Sequence, residues 1–229
     1  MKLTMKQKQN TLKKQNTDFT LFAFASLLLA ISLISACGLK YDFIDTPKDI
    51  AGNKESPLRV VEFSDLECPA CRASHPTLKK LIEEYGDRVG FEFNHYPLSG
   101  HPNAYLAAQG AECANDQGKF WEFIDDSYLF QNKLKKNDLI DRAQKLGLDV
   151  ENFKACLNSG TKKQVVDADM RDGKTKFLKG TPTYYVDGRE LDYWDYDSFK
   201  AEIESSLARY SLTQETEGNK TLLNANKTP

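Results

Sequence analysis

The stretch Arg59–Arg72, RVVEFSDLECPACR, constrains the chain most, because it joins a strand to a helix across two cysteines in a CxxC spacing. Val60, Val61 and Phe63 form a short apolar run of β-branched and aromatic type, which predicts a strand. Pro69 to about Glu84 has helical spacing and good helix formers. Cys68 then falls at the helix cap, with Pro69 at the first helical position, where its missing N–H costs nothing. A thiol there faces unpaired backbone donors and the positive end of the helix dipole, and both favour the thiolate. Cys68 is therefore the expected nucleophile. Cys71, one turn further in, can form a disulfide with Cys68 but points into the protein, as expected of the resolving thiol.

A CxxC pair alone also fits half of a zinc site or two unrelated core thiols. Zinc needs two further ligands, usually a second close pair, and Cys37, Cys113 and Cys156 are widely separated. No metal is expected. Glu62 lies on the incoming strand, in an otherwise apolar run, with alternation sending it opposite Val61 and Phe63. An acidic group beneath a dithiol can take the proton of the second thiol, so Glu62 is a candidate proton acceptor with a raised pKa. The other reading is a solvent-facing strand residue.

The run GNKESPLRVVEFSDLECPACRASHPTLKKL, with GTPTYYVDG far downstream, resembles the DsbA-like branch of the thioredoxin superfamily, the extracytoplasmic thiol:disulfide oxidoreductases. The resemblance covers residues 48–207. It implies that Cys68 attacks, Cys71 resolves, an acid occupies the Glu62 position, and a cis-proline at Pro182, preceded by Thr181, faces the dithiol. There a substrate segment would pair with the backbone of Thr181 as an added strand. It also implies reoxidation by a quinone-linked membrane partner, and no cofactor in the protein itself. The chain departs from the pattern between the cysteines. It has Pro69-Ala70 where the most strongly oxidising members carry Pro-His, so the resemblance carries no redox potential with it.

Residues 1–18 are lysine-rich and precede the apolar stretch Phe19 to Ala36, the pattern of an export signal. Ile34-Ser35-Ala36-Cys37 looks like the lipobox of bacterial lipoproteins, with Cys37 lipidated. The competing reading is an uncleaved membrane anchor. The shortness of the apolar run favours the lipoprotein, and either reading tethers the domain outside the cytoplasm, where disulfides persist. Five cysteines then divide into one lipidated, one catalytic pair, and Cys113 with Cys156 as an expected structural disulfide.

With 229 residues, 40% of them hydrophobic, and a formal net charge of −2, the chain can bury one domain of about 160 residues once both ends are set aside. The near-neutral charge gives no reason to expect nucleic acid. Val89, Phe91 and Phe93 alternate as a second strand, and strand, helix, strand implies a parallel pair with a crossover. From Ala104 to Asp172 the periodicity is helical, with caps expected at Asn137 and Asp149 and a helix from Thr161. Tyr184 to Val186 reads as a strand and Asp187-Gly188 as a hairpin turn. Asp197 is expected to cap a last helix through Leu207.

These signals predict an α/β thioredoxin-like fold with an inserted helical subdomain. The organisation is a signal sequence or membrane or lipoprotein anchor over 1–37, a linker over 38–57, and the first half of the domain over 58–97. A helical insert follows over 98–173, the second half over 174–208, and a disordered tail over 209–229. His75, a turn beyond Cys71, could tune the dithiol, while the three histidines together are not expected to hold metal. Phe120, Trp121 and Phe123 read as helix core. The block 191–196 reads as strand-edge packing, with a border on the substrate groove as the other possibility. The expected function is that of a thiol:disulfide oxidoreductase, an oxidase first, acting on reduced or unfolded exported proteins. An isomerase or reductase of the same fold, a redox-inactive peptide-binding module and a soft-metal chaperone are the alternatives.

Overall fold

The computed structural model describes residues 48–192 and 195–225, with side chains described through residue 212. Cys37, the rest of the expected leader and Trp194 of the aromatic block lie outside those residues.

The alternation of Val60, Glu62 and Ser64 with Arg59, Val61 and Phe63 builds β2 (Arg59–Ser64), the central strand of a five-stranded sheet. Its neighbour β3 (Gly90–His95) runs parallel to it, with Glu62 level with Phe93. Parallel strands need a long crossover, and α1 (Pro69–Tyr85) supplies it. On its other side β2 pairs antiparallel with β4 (Thr183–Val186), which turns back into β5 (Arg189–Glu190). The turn uses Asp187 and Gly188 at φ 53° and 75°, the left-handed pair that matches strand twist in a tight hairpin. The edge strand β1 (Ala51–Gly52) adds antiparallel to β3. A side chain at Gly52, whose φ is 79°, would meet the Val89 carbonyl oxygen at 2.5 Å, so glycine alone lets the edge close.

Five helices separate β3 from β4: α2 (Ala104–Asn115), α3 (Phe120–Leu129), α4 (Lys136–Lys145), α5 (Val150–Ser159) and α6 (Lys163–Thr175). Their apolar faces enclose one core, with Ala107, Ala111, Phe123, Leu139 and Phe153 all fully buried. Removing such an aromatic or leucine side chain from water contributes about 2 kcal/mol. The second core lies under α1 and α7 (Tyr196–Ala225), where Leu81, Phe91, Val186 and Ile203 meet. Trp121 packs against both cores and donates from Nε1 to the Asp49 carbonyl. Phe120 and Phe123 are likewise internal. The insert is fastened to β3 at two polar points. His95 Nε2 lies 3.1 Å from Glu112 on α2, and the His95 amide donates to Asp169 on α6.

One helix start agrees with the sequence reading and others differ, among them α6, which begins at Lys163 and not at Thr161. Asp149 caps α5, accepting from the Asn152 amide, and Gly160 ends that helix in the left-handed conformation. At α4 the helix begins before Asn137, and Asp138 reaches back to accept from the Lys135 amide instead. At α7 the cap is Asp195, which accepts from the Ser198 amide and hydroxyl, two residues before the expected Asp197. A carboxylate can cap from either side of the first turn, and spacing alone does not choose. The backbone of α7 also continues helical through Ala225, where a tail without structure was expected from residue 209. No proline interrupts 196–225, and the propensity of its Gln, Glu, Leu and Ala residues sustains the helix past its apolar stripe.

Cys113 on α2 and Cys156 on α5 are joined by a disulfide with a Cα separation of 5.8 Å. The bridge closes a loop of 43 residues. Loop-closure entropy assigns such a bridge about 4 kcal/mol. Replacing both cysteines by alanine should lower unfolding stability by about 2–5 kcal/mol, read from the denaturant midpoint, and leave the Cys68 thiol titration in place.

Candidate active site

Glu62 stands opposite Tyr184, and Phe63 opposite Thr183, in the antiparallel pair β2–β4. The loop leaving β2 and the loop entering β4 therefore lie at one end of the sheet. The first loop delivers Asp65 to Cys68 into α1, and the second carries Thr181 and Pro182, joined by a cis peptide bond. Residues more than a hundred positions apart meet there. Cys68 Sγ lies 3.4 Å from the Thr181 carbonyl oxygen, which accepts from it when the thiol is protonated.

Cys68 caps α1 in extended conformation, and Pro69 follows at the first helical position. It keeps 6% of its surface exposed while Cys71 keeps none, so an incoming sulfur reaches Cys68 alone. The two thiols are held in opposite protonation states. A hydrogen bond from the Cys71 thiol does most to bring the Cys68 thiol down to about 5, working against burial, with the Thr181 side chain and the amides of Cys71 and Ala70 adding to it. Burial, the same hydrogen bond and the nearby charge of Glu62 push Cys71 far above the ordinary thiol range. The sequence argument credited the helix terminus with the Cys68 thiolate. The helix amides do contribute, but the neighbouring thiol contributes most.

Glu62 is fully buried, which excludes the solvent-facing reading. Burial raises its carboxyl above the usual carboxylate range, opposed by the Ser64 hydrogen bond, the charge of His75 and the Tyr184 hydrogen bond. Its Oε1 accepts from Ser64 Oγ at 2.6 Å and from the Tyr184 hydroxyl at 3.0 Å. Ser64 Oγ continues to the Tyr128 hydroxyl at 2.7 Å, and Tyr184 to Ser74 Oγ at 2.8 Å. This buried network surrounds Cys71, whose sulfur also accepts from the Asp65 amide at 3.5 Å.

Sequence reasoning missed these partners. Ser64 shares a strand face with Glu62 by its two-residue spacing, and Tyr184 follows the Pro182 loop, so both could have been found once the β2–β4 pairing was assumed. Tyr128 and Gln131 come from the insert and carry no local signal. Gln131 Nε2 donates to the carbonyls of Leu66 and Cys68, fixing the loop that carries Cys68. Asp65 is buried and accepts from the Glu67 and Leu98 amides and from His101 Nδ1 at 2.7 Å, which raises the His101 pKa. All three histidines face a carboxylate: His75 with Asp125, His95 with Glu112, His101 with Asp65. Among the described residues no group of three or more His, Cys, Asp and Glu could hold a metal ion.

A sequence profile described as Thioredoxin matches residues 45–205. The chain belongs to the thioredoxin superfamily. Its fold within that superfamily is DsbA-like. Its fold is similar to that of oxidised BdbD from Bacillus subtilis, at 26% identity and a TM-score of 0.60, over 70% of this chain and 93% of that one. It is similar also to the thiol-disulfide exchange protein alpha-DsbA2 from Wolbachia pipientis, at 19% identity and a TM-score of 0.64, over 70% and 88% of the two chains. Among curated proteins it resembles the Na(+)/H(+) antiporter NhaA 3 of Salinispora tropica, 34% identical over 177 residues, 75% of this chain. The match spans only 27% of that antiporter's own length. No helix among the described residues is long and apolar enough to cross a membrane.

Thiolate absorbance of the reduced DsbA-like protein should titrate with a midpoint near 5, far below a free cysteine at about 8.5. The folded pKa is depressed, so this ion's stabilisation of the reduced form is complete above the unfolded pKa and disappears as pH falls through about 5. Cys71→Ala removes the largest contributor and should raise the midpoint by about one unit or more.

Proposed function

We propose that this DsbA-like protein is a thiol:disulfide oxidoreductase that introduces disulfides into reduced or unfolded exported proteins. The observation that carries this reading is the Cys68 thiol, held near 5 beside the Thr181 carbonyl at the cis-proline loop. A substrate thiolate attacks Cys68 Sγ of the Cys68–Cys71 disulfide, forming a mixed disulfide. The electron pair of the broken bond leaves on Cys71, which its surroundings keep protonated, with Glu62 supplying the proton. A second substrate thiolate then attacks the substrate sulfur of the mixed disulfide. Cys68 departs as a stable thiolate, the substrate gains its disulfide and the protein holds two reduced cysteines.

Direction follows from leaving-group energetics. A stabilised Cys68 thiolate favours the reduced protein and so makes the disulfide form oxidising. Its pKa lies between about 7 for thioredoxin and about 3.5 for DsbA. Thr181 and Pro182 present backbone to the substrate. The cycle closes when a quinone-linked membrane partner reoxidises the pair. The export-type leader and the Cys113–Cys156 bridge support a site of action outside the cytoplasm, tethered through a lipidated Cys37 or an uncleaved anchor.

Equilibration against glutathione tests the proposal. An oxidase should show a potential nearer to about −120 mV than to about −270 mV, and Cys68→Ser should abolish oxidation of a reduced, unfolded protein. A potential at or below the thioredoxin value would instead make the protein a reductase, and retained function in Cys68→Ser would make it a binding module. Glu62→Gln should slow the Cys71 step about tenfold or more, measured in single turnover, while Cys68 remains a thiolate at neutral pH.

A further inference from the structure

Glu62 has no path to solvent through its own hydrogen bonds. Ser64, Tyr184, Tyr128 and Ser74, the hydroxyls that extend from it, are all buried. Its second oxygen, Oε2, has no hydrogen-bond partner among the described residues. A group that takes a proton from Cys71 in one half-reaction and returns one in the other must still exchange with water once per cycle.

On the neighbouring α1 a second buried atom is also unpartnered. His75 Nδ1 makes no hydrogen bond among the described residues, and the side chain is only 8% exposed. Its other nitrogen, Nε2, faces Asp125 Oδ1 at 2.7 Å, and Asp125 is 36% exposed and also paired with Lys79. The His75 ring rests on Tyr128 with centroids 4.8 Å apart, and the Tyr128 hydroxyl is the one that joins Ser64 and hence Glu62. His75 lies near enough to the Glu62 carboxyl to act on it electrostatically when the ring is protonated. The ionisable groups around His75 are thus Glu62 from β2, Cys71 one turn earlier and Lys79 one turn later on α1, and Asp125 and Tyr128 from α3.

We propose that His75 and Asp125 form the port through which the proton exchanged between Cys71 and Glu62 enters and leaves the protein. This rests on the oxidoreductase reading above and names the route for its buried proton. Asp125 holds the imidazole as the Nε2–H tautomer, leaving a lone pair on Nδ1 toward the interior. When the pair is reoxidised, Cys71 gives its proton to Glu62, and a water bridging Oε2 and Nδ1, the two buried atoms without a protein partner among the described residues, carries it on to Nδ1. The proton on Nε2 goes out by way of Asp125. When a substrate is oxidised, water returns a proton to Nε2 and the Nδ1 proton moves inward to Glu62 and Cys71. The tautomer is restored each cycle, and no net proton is stored.

Reduced protein and oxidised glutathione separate the relevant steps. Cys68 thiolate first attacks glutathione disulfide with no proton leaving Cys71. Cys71 must then deprotonate to displace glutathione from the mixed disulfide. His75→Phe, which keeps a ring against Tyr128, should leave the first phase at the wild-type rate and slow the second about tenfold. Millimolar imidazole should restore most of that loss, because a small diffusing base replaces the port. Asp125→Asn, at a half-exposed position, should slow the second phase and respond to imidazole in the same way. It decides the matter if His75→Phe does not fold. An unchanged second phase, or a loss in both phases that imidazole does not relieve, overturns the port. A wild-type protein that does not exchange with glutathione at all overturns the oxidoreductase reading instead.

Discussion

The hydrogen bond between two thiols that differ in proton affinity is the interaction on which the site depends. Cys71 gives its hydrogen to Cys68, and that single contact lowers one pKa while raising the other. It works because the surroundings are unequal. Cys68 begins a helix, with amides aimed at it and a sliver of surface open, whereas Cys71 is enclosed above a buried acid. Exchanging these environments would place the thiolate on the inner sulfur, which keeps no exposed surface.

The sheet and the insert share the task of building that inequality. The sheet supplies the acid, its tyrosine partner and the loop that brings Thr181 to Cys68. The insert supplies the roof: Tyr128 against Ser64, Asp125 against His75, and Gln131 on the carbonyls of Leu66 and Cys68. The disulfide between α2 and α5 joins two helices of that roof. A thioredoxin-like core without the insert would keep the two cysteines and lose the groups that seal Cys71 from water.

Much of the site was legible in the sequence because its signals are local. The strand, the capping cysteine, Pro69 and the spacing to Cys71 lie within one run of residues, and each is read from short-range rules. Thr181 and Pro182 were placed by resemblance alone, since nothing in Gly-Thr-Pro itself distinguishes a cis bond. The partners of Glu62 depend on which strands pair and on where helices from the insert come to rest, and such contacts leave no periodic trace. Cap positions at α4 and α7 slipped for a similar reason, as Asp138 and Asp195 compete with equally suitable neighbours. The extension of α7 reflects propensity acting where no apolar stripe announces a helix.

Strand order has a chemical consequence beyond architecture. β2 is third of five, so the side chain at position 62 is covered laterally by both β3 and β4 as well as by the helices. On an edge strand the same glutamate would be hydrated on one flank, and its carboxyl would lie closer to the ordinary carboxylate range. Flanked on both sides, its carboxyl is pushed above the ordinary carboxylate range, and the topology of the sheet thereby sets the proton affinity of the group beneath the cysteines.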